Sequence, residues 1–392
     1  MLKKILIVCD GFLPPKAKVA GGKNIYLIQK YLALKGLEVH LAVFLDKETT
    51  DNWRDWVREE EKNFKFKFHV FNVPLKRIYP VHFLLKKFLS FFVIFVLQLR
   101  HKFDLLHEYS SMPFLVNFTY LLGWLTNTKT VHTLCTVNKG FLGSKRLLFK
   151  PANQLICASE NMANELKTKI KTGVQFIPIP IEDRFFSNNL SNGFKKRYGI
   201  TKEKVVLFCG PLGNQKGIAI FLGAIPEIIA NNPDAAMVIL TAPGLNTFSA
   251  SRKNRERVIS LTNIYKESIV FIDEEVDMPS LFSIADVYVY PLSTMHGTLG
   301  SPSVLIESMA MSKAIVASRL SELSNIVENG KNALLFDPKD AGQLAREVNR
   351  LLMDKDLRMR LGTRAKLDTQ GYSLLEVGNS ILSVYNKILV EK

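Results

Sequence analysis

An α/β fold built on two parallel sheets is predicted by three features of this 392-residue sequence. Short β-branched runs alternate with helix-length segments, which is the pattern of strands joined by crossover helices. The alternation stops at a polar stretch near the middle and then restarts. The length also exceeds what one ordinary core accommodates. The expected fold class is therefore α/β, with two Rossmann-like parallel-sheet domains facing a central cleft.

The elements follow in order. KILIVC (4–9) reads as a strand, and KNIYLIQKYLALKG (23–36) has helical spacing and stops at Gly36. EVHLAVF (38–44) is a strand again, and a charged helix follows around 51–62. The strands KFHVFNV (67–73), DLLHEY (104–109), TVHTLC (130–135), QLICAS (154–159) and VQFIPI (174–179) complete the first set. The stretch SNNLSNGFKKRYGI (187–200) reads as a linker. After it come KVVLFCG (204–210), AMVILTA (236–242), SIVFID (268–273), DVYVYP (286–291), AIVAS (314–318) and ALLFD (333–337). The domains are expected at 1–186 and 187–371, with a C-terminal helix over 372–392 packing back on the first. Parallel sheets of this kind bind ligands beyond the carboxyl ends of their strands, so chemistry is expected in the loops there.

Charge is unevenly placed. The chain carries 52 Lys and Arg against 36 Asp and Glu, and residues 1–184 hold 28 of the former and 15 of the latter. Such a field attracts an anionic partner: a phosphate-bearing substrate, an acidic lipid surface or nucleic acid. No RNP motif, zinc spacing or helix-turn-helix signature stands out, so nucleic acid is not expected as a partner. The cysteines Cys9, Cys135, Cys157 and Cys209 sit in or beside apolar runs without CxxC spacing. Buried free thiols in a reducing compartment are expected, with no zinc site and no disulfide framework. The apolar part of the N-terminus, ILIVC, is too short for a signal segment and is followed at once by Asp10. A cytoplasmic protein is expected. Residues 75–102 mix Lys and Arg with many aromatics, but Lys86 and Lys87 interrupt the apolar run before it is long enough to span a membrane. Two readings stay open: a segment lying in the headgroup region on the inner face of an acidic membrane, or a helix buried against the sheet.

Three loops carry candidate chemistry. The first ends in Gly21-Gly22 at the start of a helix, where backbone can approach a phosphate and unpaired N–H groups carry partial positive charge. The second, LFCGPLGNQKGIAIF (207–221), has Gly210 after a strand and Lys216-Gly217 at a helix start, where a lysine can meet a diphosphate as a point charge. It is not a Walker A loop, since the GxxxxGK[ST] order is absent. The third, GTLGSPSVLIESMAMSKAIVAS (297–318), leads through Gly300, Ser301, Pro302, Ser303 and Val304 into a short helix carrying Glu307. A carboxylate there can accept both hydroxyls of a ribose. His132 lies toward the end of an apolar strand, as a satisfied core histidine or as a residue at a ligand. Asp10 and Glu108 are spare carboxylates at strand ends, while Asp286 and Pro291 frame DVYVYP as structural residues.

The order of these segments resembles the family 4 glycosyltransferases of the GT-B fold over nearly the whole chain. The resemblance rests on AGG before the first helix, VHT, CASENMANEL and IPIPIEDRF in the first half. In the second half it rests on GPLGNQKGI, ADVYVYP, GSPSVLIESMAMSKAIVAS and VENGKNALLFDPKDAGQLAREVNRLLMD. It implies transfer of a sugar from a nucleotide-sugar donor, with retention, to a saccharide or lipid-linked acceptor. It implies no cofactor and no metal. By the same resemblance Gly22 meets the donor phosphates, His132 the donor sugar, Lys216 the diphosphate and Glu307 the ribose, with His132 and Lys216 in the catalytic roles. Three positions depart from the family pattern: Pro211 stands where an Arg is usual, Leu299 where a Glu is usual, and IPIE replaces an Asn-Gly turn. His296 in the same loop as Leu299 is a candidate substitute. The departures point to the alternative of a catalytically reduced protein of this fold that binds a nucleotide-sugar or a partner.

Overall fold

The structure is a computed structural model that describes residues 3–9, 20–46, 53–64, 66–73, 81–110, 118–135, 152–170, 172–187, 193–241, 249–295 and 302–390. The chain divides into two compact units, Met1–Pro180 with Leu374–Lys392, and Ile181–Met295 with Pro302–Ser373. The division falls ahead of the polar stretch read as a linker. The physical reason is burial: Ile181 and Phe185 already belong to the second core, as do Phe194 and Ile200 from within that stretch.

Unit one runs β1 (Lys4–Cys9), α1 (Ala20–Leu34), β2 (Glu38–Asp46), α2 (Trp53–Asn63), β3 (Phe66–Val73) and α3 (Val81–His101). It continues with β4 (Leu105–Ser110), α4 (Phe118–Leu125), β5 (Lys129–Leu134), β6 (Gln154–Cys157), α5 (Glu160–Lys169) and β7 (Gly173–Phe176). Its seven strands lie in the order β3-β2-β1-β4-β5-β6-β7, and every pairing is parallel. The apolar run of β1 follows from burial on both faces. Ile5, Ile7 and Cys9 pack into one core layer, while Leu6 and Val8 pack into the other.

Unit two runs α6 (Phe194–Arg197), β8 (Lys204–Cys209), α7 (Ile218–Asn231), β9 (Ala235–Thr241), α8 (Ser249–Ile264), β10 (Ile269–Asp273) and α9 (Met278–Ser283). Then come β11 (Val287–Tyr290), α10 (Ser303–Ala310), β12 (Ala314–Ser318), β13 (Leu334–Phe336), α11 (Ala341–Met353) and α12 (Lys355–Asp368). The six strands are ordered β10-β9-β8-β11-β12-β13, again all parallel. Val205 and Leu207 of β8 face one layer, Val206 and Phe208 the other. Asp286 accepts the Val205 N–H at 2.9 Å and so ties the start of β11 to that of β8, a structural role. The α/β class with two Rossmann-like sheets expected from the sequence is what the chain adopts.

The last helix, α13 (Leu374–Val390), belongs to unit one. Val377, Ile381, Val384, Tyr385 and Ile388 enter its core. Tyr385 shares a 2.5 Å hydrogen bond with His107 Nδ1, and the Tyr31 hydroxyl donates to Asn379 at 2.6 Å. Gly378 lets α13 lie directly on the Tyr31 ring, since a Cβ there would sit 2.3 Å from its Cδ1.

All four cysteines are free, as expected, with Cys9, Cys135 and Cys157 buried and Cys209 half-buried. Burial pushes the Cys135 and Cys157 thiols up to about 12. Among the described residues no helix is long and apolar enough to cross a membrane. Along α3, Ser90, Ile94, Leu97 and Gln98 are buried, whereas Phe88, Phe92, Val96 and Leu99 on the other side are exposed. The helix is thus core on one face and bare apolar surface on the other.

Gly378→Ala is expected to lower stability by about 1–3 kcal/mol, because the Tyr31 ring it would strike is held by Asn379. Urea unfolding against the parent protein checks this.

Candidate functional site

In unit two the strand order reverses between β8 and β11. The connections leaving these two neighbours diverge to opposite sides of the sheet, and a crevice opens at their carboxyl ends. Lys216 lies in the connection after β8, and Glu307 on the helix after β11. Topology therefore brings together, at one crevice, two residues ninety-one positions apart in the chain.

The β8 connection is short. Gly210 has φ +150° with open space where a side chain would be, and it donates its N–H to Leu240 O at 3.0 Å. A 3-10 turn over Asn214–Lys216 follows, and Gly217, at φ +73°, opens α7. A Cβ on Gly217 would lie 1.6 Å from the carbonyl oxygen of Pro291, so only glycine lets this loop close on the end of β11. Ser293 fastens the two connections: its N–H donates to Gln215 O at 3.1 Å and its hydroxyl to Asn214 O at 3.0 Å. From the other side, Asn254 donates to Leu212 O at 2.7 Å and to Asn214 Oδ1 at 3.0 Å. Gly217, Ser293 and Asn254 were not singled out as site residues from the sequence. A glycine directly after the lysine was the one visible signal.

The helix starts at this crevice differ from those of α9, α11 and α12, although α6 likewise starts on a glycine, Gly193, without a side-chain cap. Asp277, Asp340 and Asp354 cap α9, α11 and α12 through their side chains. By contrast α7 starts on Gly217 and α10 on Pro302, and neither has a side-chain cap. The first N–H groups of a helix have no intrahelical acceptor and carry partial positive charge. Two such ends at one crevice favour an anion.

Lys216 adds a full charge. Its ammonium is half-buried and has no carboxylate or hydrogen-bond acceptor among the described residues. Burial lowers its pKa from the usual lysine value. A desolvated cation of this kind gains from a bound anion what it lost by leaving water. Glu307 is 6% exposed, in the second turn of α10. It lies near the end of β8, because its charge helps to push the Cys209 thiol up, after burial. Pro302 and Ser303 are buried at the start of α10, and Val304 is half-buried. Pro211, where the family pattern has Arg, is half-buried in the same connection. Gly300, Ser301, His296 and Leu299 lie outside the described residues, as does Asp10.

In unit one, Gly21 and Gly22 fall in the first turn of α1, the helix that follows β1. His132 is fully buried in β5. Its Nε2 shares a 2.9 Å hydrogen bond with Ser110 Oγ, and its Nδ1 is bonded to the Tyr120 hydroxyl. Glu108, its register partner on β4, is also buried. The structure thus gives His132 two protein partners and the environment of a satisfied core histidine.

Residues 203–354 match the family described as Glycosyl transferases group 1. The spore coat protein SA of Bacillus subtilis is 29% identical over 205 residues, 49% of this chain and 51% of that protein. The alpha-D-kanosaminyltransferase of Streptomyces kanamyceticus is 27% identical over 199 residues, 50% of this chain and 48% of that one. The chain thus spans about half the length of these curated relatives. The crystal structure of Anabaena HepE in complex with UDP superposes with a TM-score of 0.74 at 15% identity, covering 98% of this chain and 100% of that one.

Gly217→Ala is expected to cost about 1–3 kcal/mol of stability, since the carbonyl it strikes is backbone and must move. Denaturant unfolding measures it, and Gly210→Ala, with open space around it, is the milder comparison. Over residues 203–354 the second unit is thus similar to the glycosyl transferases group 1, and the two parallel-sheet units have the GT-B fold.

Proposed function

We propose that the protein transfers a sugar from a nucleotide-sugar donor to a saccharide or lipid-linked acceptor, with retention at the anomeric carbon. The observation that carries this reading is the half-buried ammonium of Lys216, with no acidic partner among the described residues, beside two helix starts without side-chain caps. That arrangement suits a diphosphate. The fold likeness to HepE, whose crystals hold UDP, supports the same ligand class.

In this reading Lys216 and the amides at the starts of α7 and α10 take up the negative charge that grows on the departing diphosphate. Gly210 offers backbone without a side chain to a phosphate, and Ser303 and Val304 lie at the receiving helix end. Glu307 accepts the ribose hydroxyls. Gly21 and Gly22 leave the start of α1 without side chains, which suits a phosphate at that helix end. His132 has both ring nitrogens engaged, so its part is to hold the β4–β5 layer against α4. Positive charge for the reaction comes from these groups, and the reading assigns it neither metal nor cofactor. A donor-binding protein with reduced turnover is the second reading, favoured by Pro211 in place of the family's arginine.

The acceptor side of the proposal rests on α3. Phe88 and Phe92 are each 60% exposed and Leu99 is 59% exposed, with Arg100 and Lys102 at the helix end. An apolar stripe ending in basic residues suits the headgroup region of an anionic membrane at its cytoplasmic face, where a lipid-linked acceptor would be presented.

Titration calorimetry with nucleoside diphosphates and nucleotide-sugars tests the donor; if none binds, the reading fails. Binding with no turnover on any acceptor selects the second reading. Lys216→Ala is expected to slow transfer about a hundredfold, equivalent to about 3 kcal/mol, without lowering Tm. Diphosphate affinity should decline as pH rises through the lowered pKa of Lys216, because only the protonated ammonium attracts the anion, and Lys216→Ala should flatten that decline. Cosedimentation with anionic vesicles at low salt should be lost in Phe88→Ser/Phe92→Ser; equal sedimentation with neutral vesicles counts against the membrane surface. The anomeric configuration of the product, read by NMR, decides retention.

A further inference from the structure

Three histidines far apart in the chain meet on one face of unit one. His40 lies on β2, His69 on β3, and His101 is the last residue of α3. Alternation along the strands turns His40 and His69 toward the layer containing Ala42, Phe44 and Phe71, on which α3 packs. One ring nitrogen from each histidine lies within 4.8 Å of the other two. The His40 and His69 rings stack with centroids 5.1 Å apart, and the His101 ring lies 4.9 Å from His40 and 5.4 Å from His69. Phe103 closes one side, 4.8 Å from His40 and 5.6 Å from His101. The cluster sits toward the amino ends of the strands, opposite to the end at which ligands of such sheets bind.

From this geometry we propose that His40, His69 and His101 form a binding site for a divalent transition-metal ion of the zinc class. Imidazole nitrogen is a preferred donor for such ions, and three protein ligands with one open position make a recurrent site. A carboxylate already orients one ligand. His40 Nε2 lies 2.9 Å from Glu38 Oε1, so Nε2 carries the proton and donates it, leaving the Nδ1 lone pair directed at His69. In this structure His40 Nδ1 and His69 Nε2 share a 2.9 Å hydrogen bond. A metal ion replaces that proton: His69 moves its hydrogen to Nδ1 and offers Nε2, with no net proton released. Tetrahedral coordination requires the two nitrogens to part only slightly, to about 3.3 Å.

The electrostatics are mixed. All three rings are held below the usual histidine range, first by burial, and His69 is pushed down to about 4. Their lone pairs are thus available at neutral pH. Lys67, Arg100 and Lys4 contribute positive charge, which opposes a cation. The Glu38 carboxylate, with its pKa lowered first by the His40 hydrogen bond, and the C-terminal end of α3 oppose that field. Micromolar affinity is therefore expected, below that of a four-ligand structural site. The sequence-based expectation of no metal is what the proposal revises.

The test uses the full chain without an affinity tag, stripped with EDTA and titrated with ZnCl2 by calorimetry and with CoCl2 by absorption. One ion per chain, a rise in Tm with ZnCl2 and Co2+ bands of tetrahedral intensity are expected. His69→Asn and His101→Gln should each weaken Zn2+ binding at least about tenfold and abolish the Tm rise, and Glu38→Gln should weaken it by about the same factor or less. Circular dichroism and diphosphate titration confirm that the variants are folded. His101→Gln, at a helix end, is the variant least exposed to folding defects. Absence of a one-to-one Zn2+ complex overturns the proposal, as does Zn2+ binding undiminished in the double variant His69→Asn/His101→Gln.

Discussion

A parallel strand cannot be held by a hairpin turn to its neighbour, so it survives only where both of its faces are covered. Everything in this protein depends on that constraint. β1 and β8, each central to its sheet, send alternate residues into two separate apolar layers. The helices that supply those layers are the crossovers themselves. Because crossovers are right-handed, reversing the strand order is the way to cover both faces, and each reversal opens a crevice. The candidate site of unit two is a by-product of how its sheet is stabilised.

Close packing then decides what that crevice can hold. Gly217 against the Pro291 carbonyl, with Ser293 and Asn254 tying the loop, fixes the 3-10 turn that carries Lys216. A lysine on a mobile loop would find a carboxylate or water. Held here, half-buried and with no acidic partner among the described residues, it keeps its charge for a ligand. The absence of side-chain caps on α7 and α10 acts in the same direction, since no cap side chain competes for negative charge at those helix ends. The two features reinforce one another because both favour negative charge at one point.

Unit one distributes its polar groups differently. His107 shares bonds with Tyr385 and Thr133, and His132 with Ser110 and Tyr120. These buried polar groups are satisfied within the fold and help to fix β4 and β5 against α13 and α4. The cluster of His40, His69 and His101 is another matter, as it is only partly buried and pairs imidazole with imidazole. On the same layer, α3 leaves Phe88, Phe92 and Leu99 uncovered.

Strand positions, the parallel order and two sheets were legible in the sequence, because period and punctuation are local: KILIVC, VVLFC and AIVAS declare themselves. Lys216 and Glu307 were legible as candidates because Lys216 sits in a glycine-marked loop after a strand and Glu307 on the helix that a Gly/Ser/Pro loop opens. The boundary at Ile181 was not, since a polar stretch looks like a linker until Phe194 is seen buried. The saturation of His132 was equally hidden, because Ser110 and Tyr120 reach it from β4 and α4. No spacing rule joins residues 40, 69 and 101; only sheet register and the end of α3 bring them within reach. Local pattern determined which elements form, and long-range packing decided which side chains meet, because contact between distant residues depends on register and close approach that no short stretch of chain encodes.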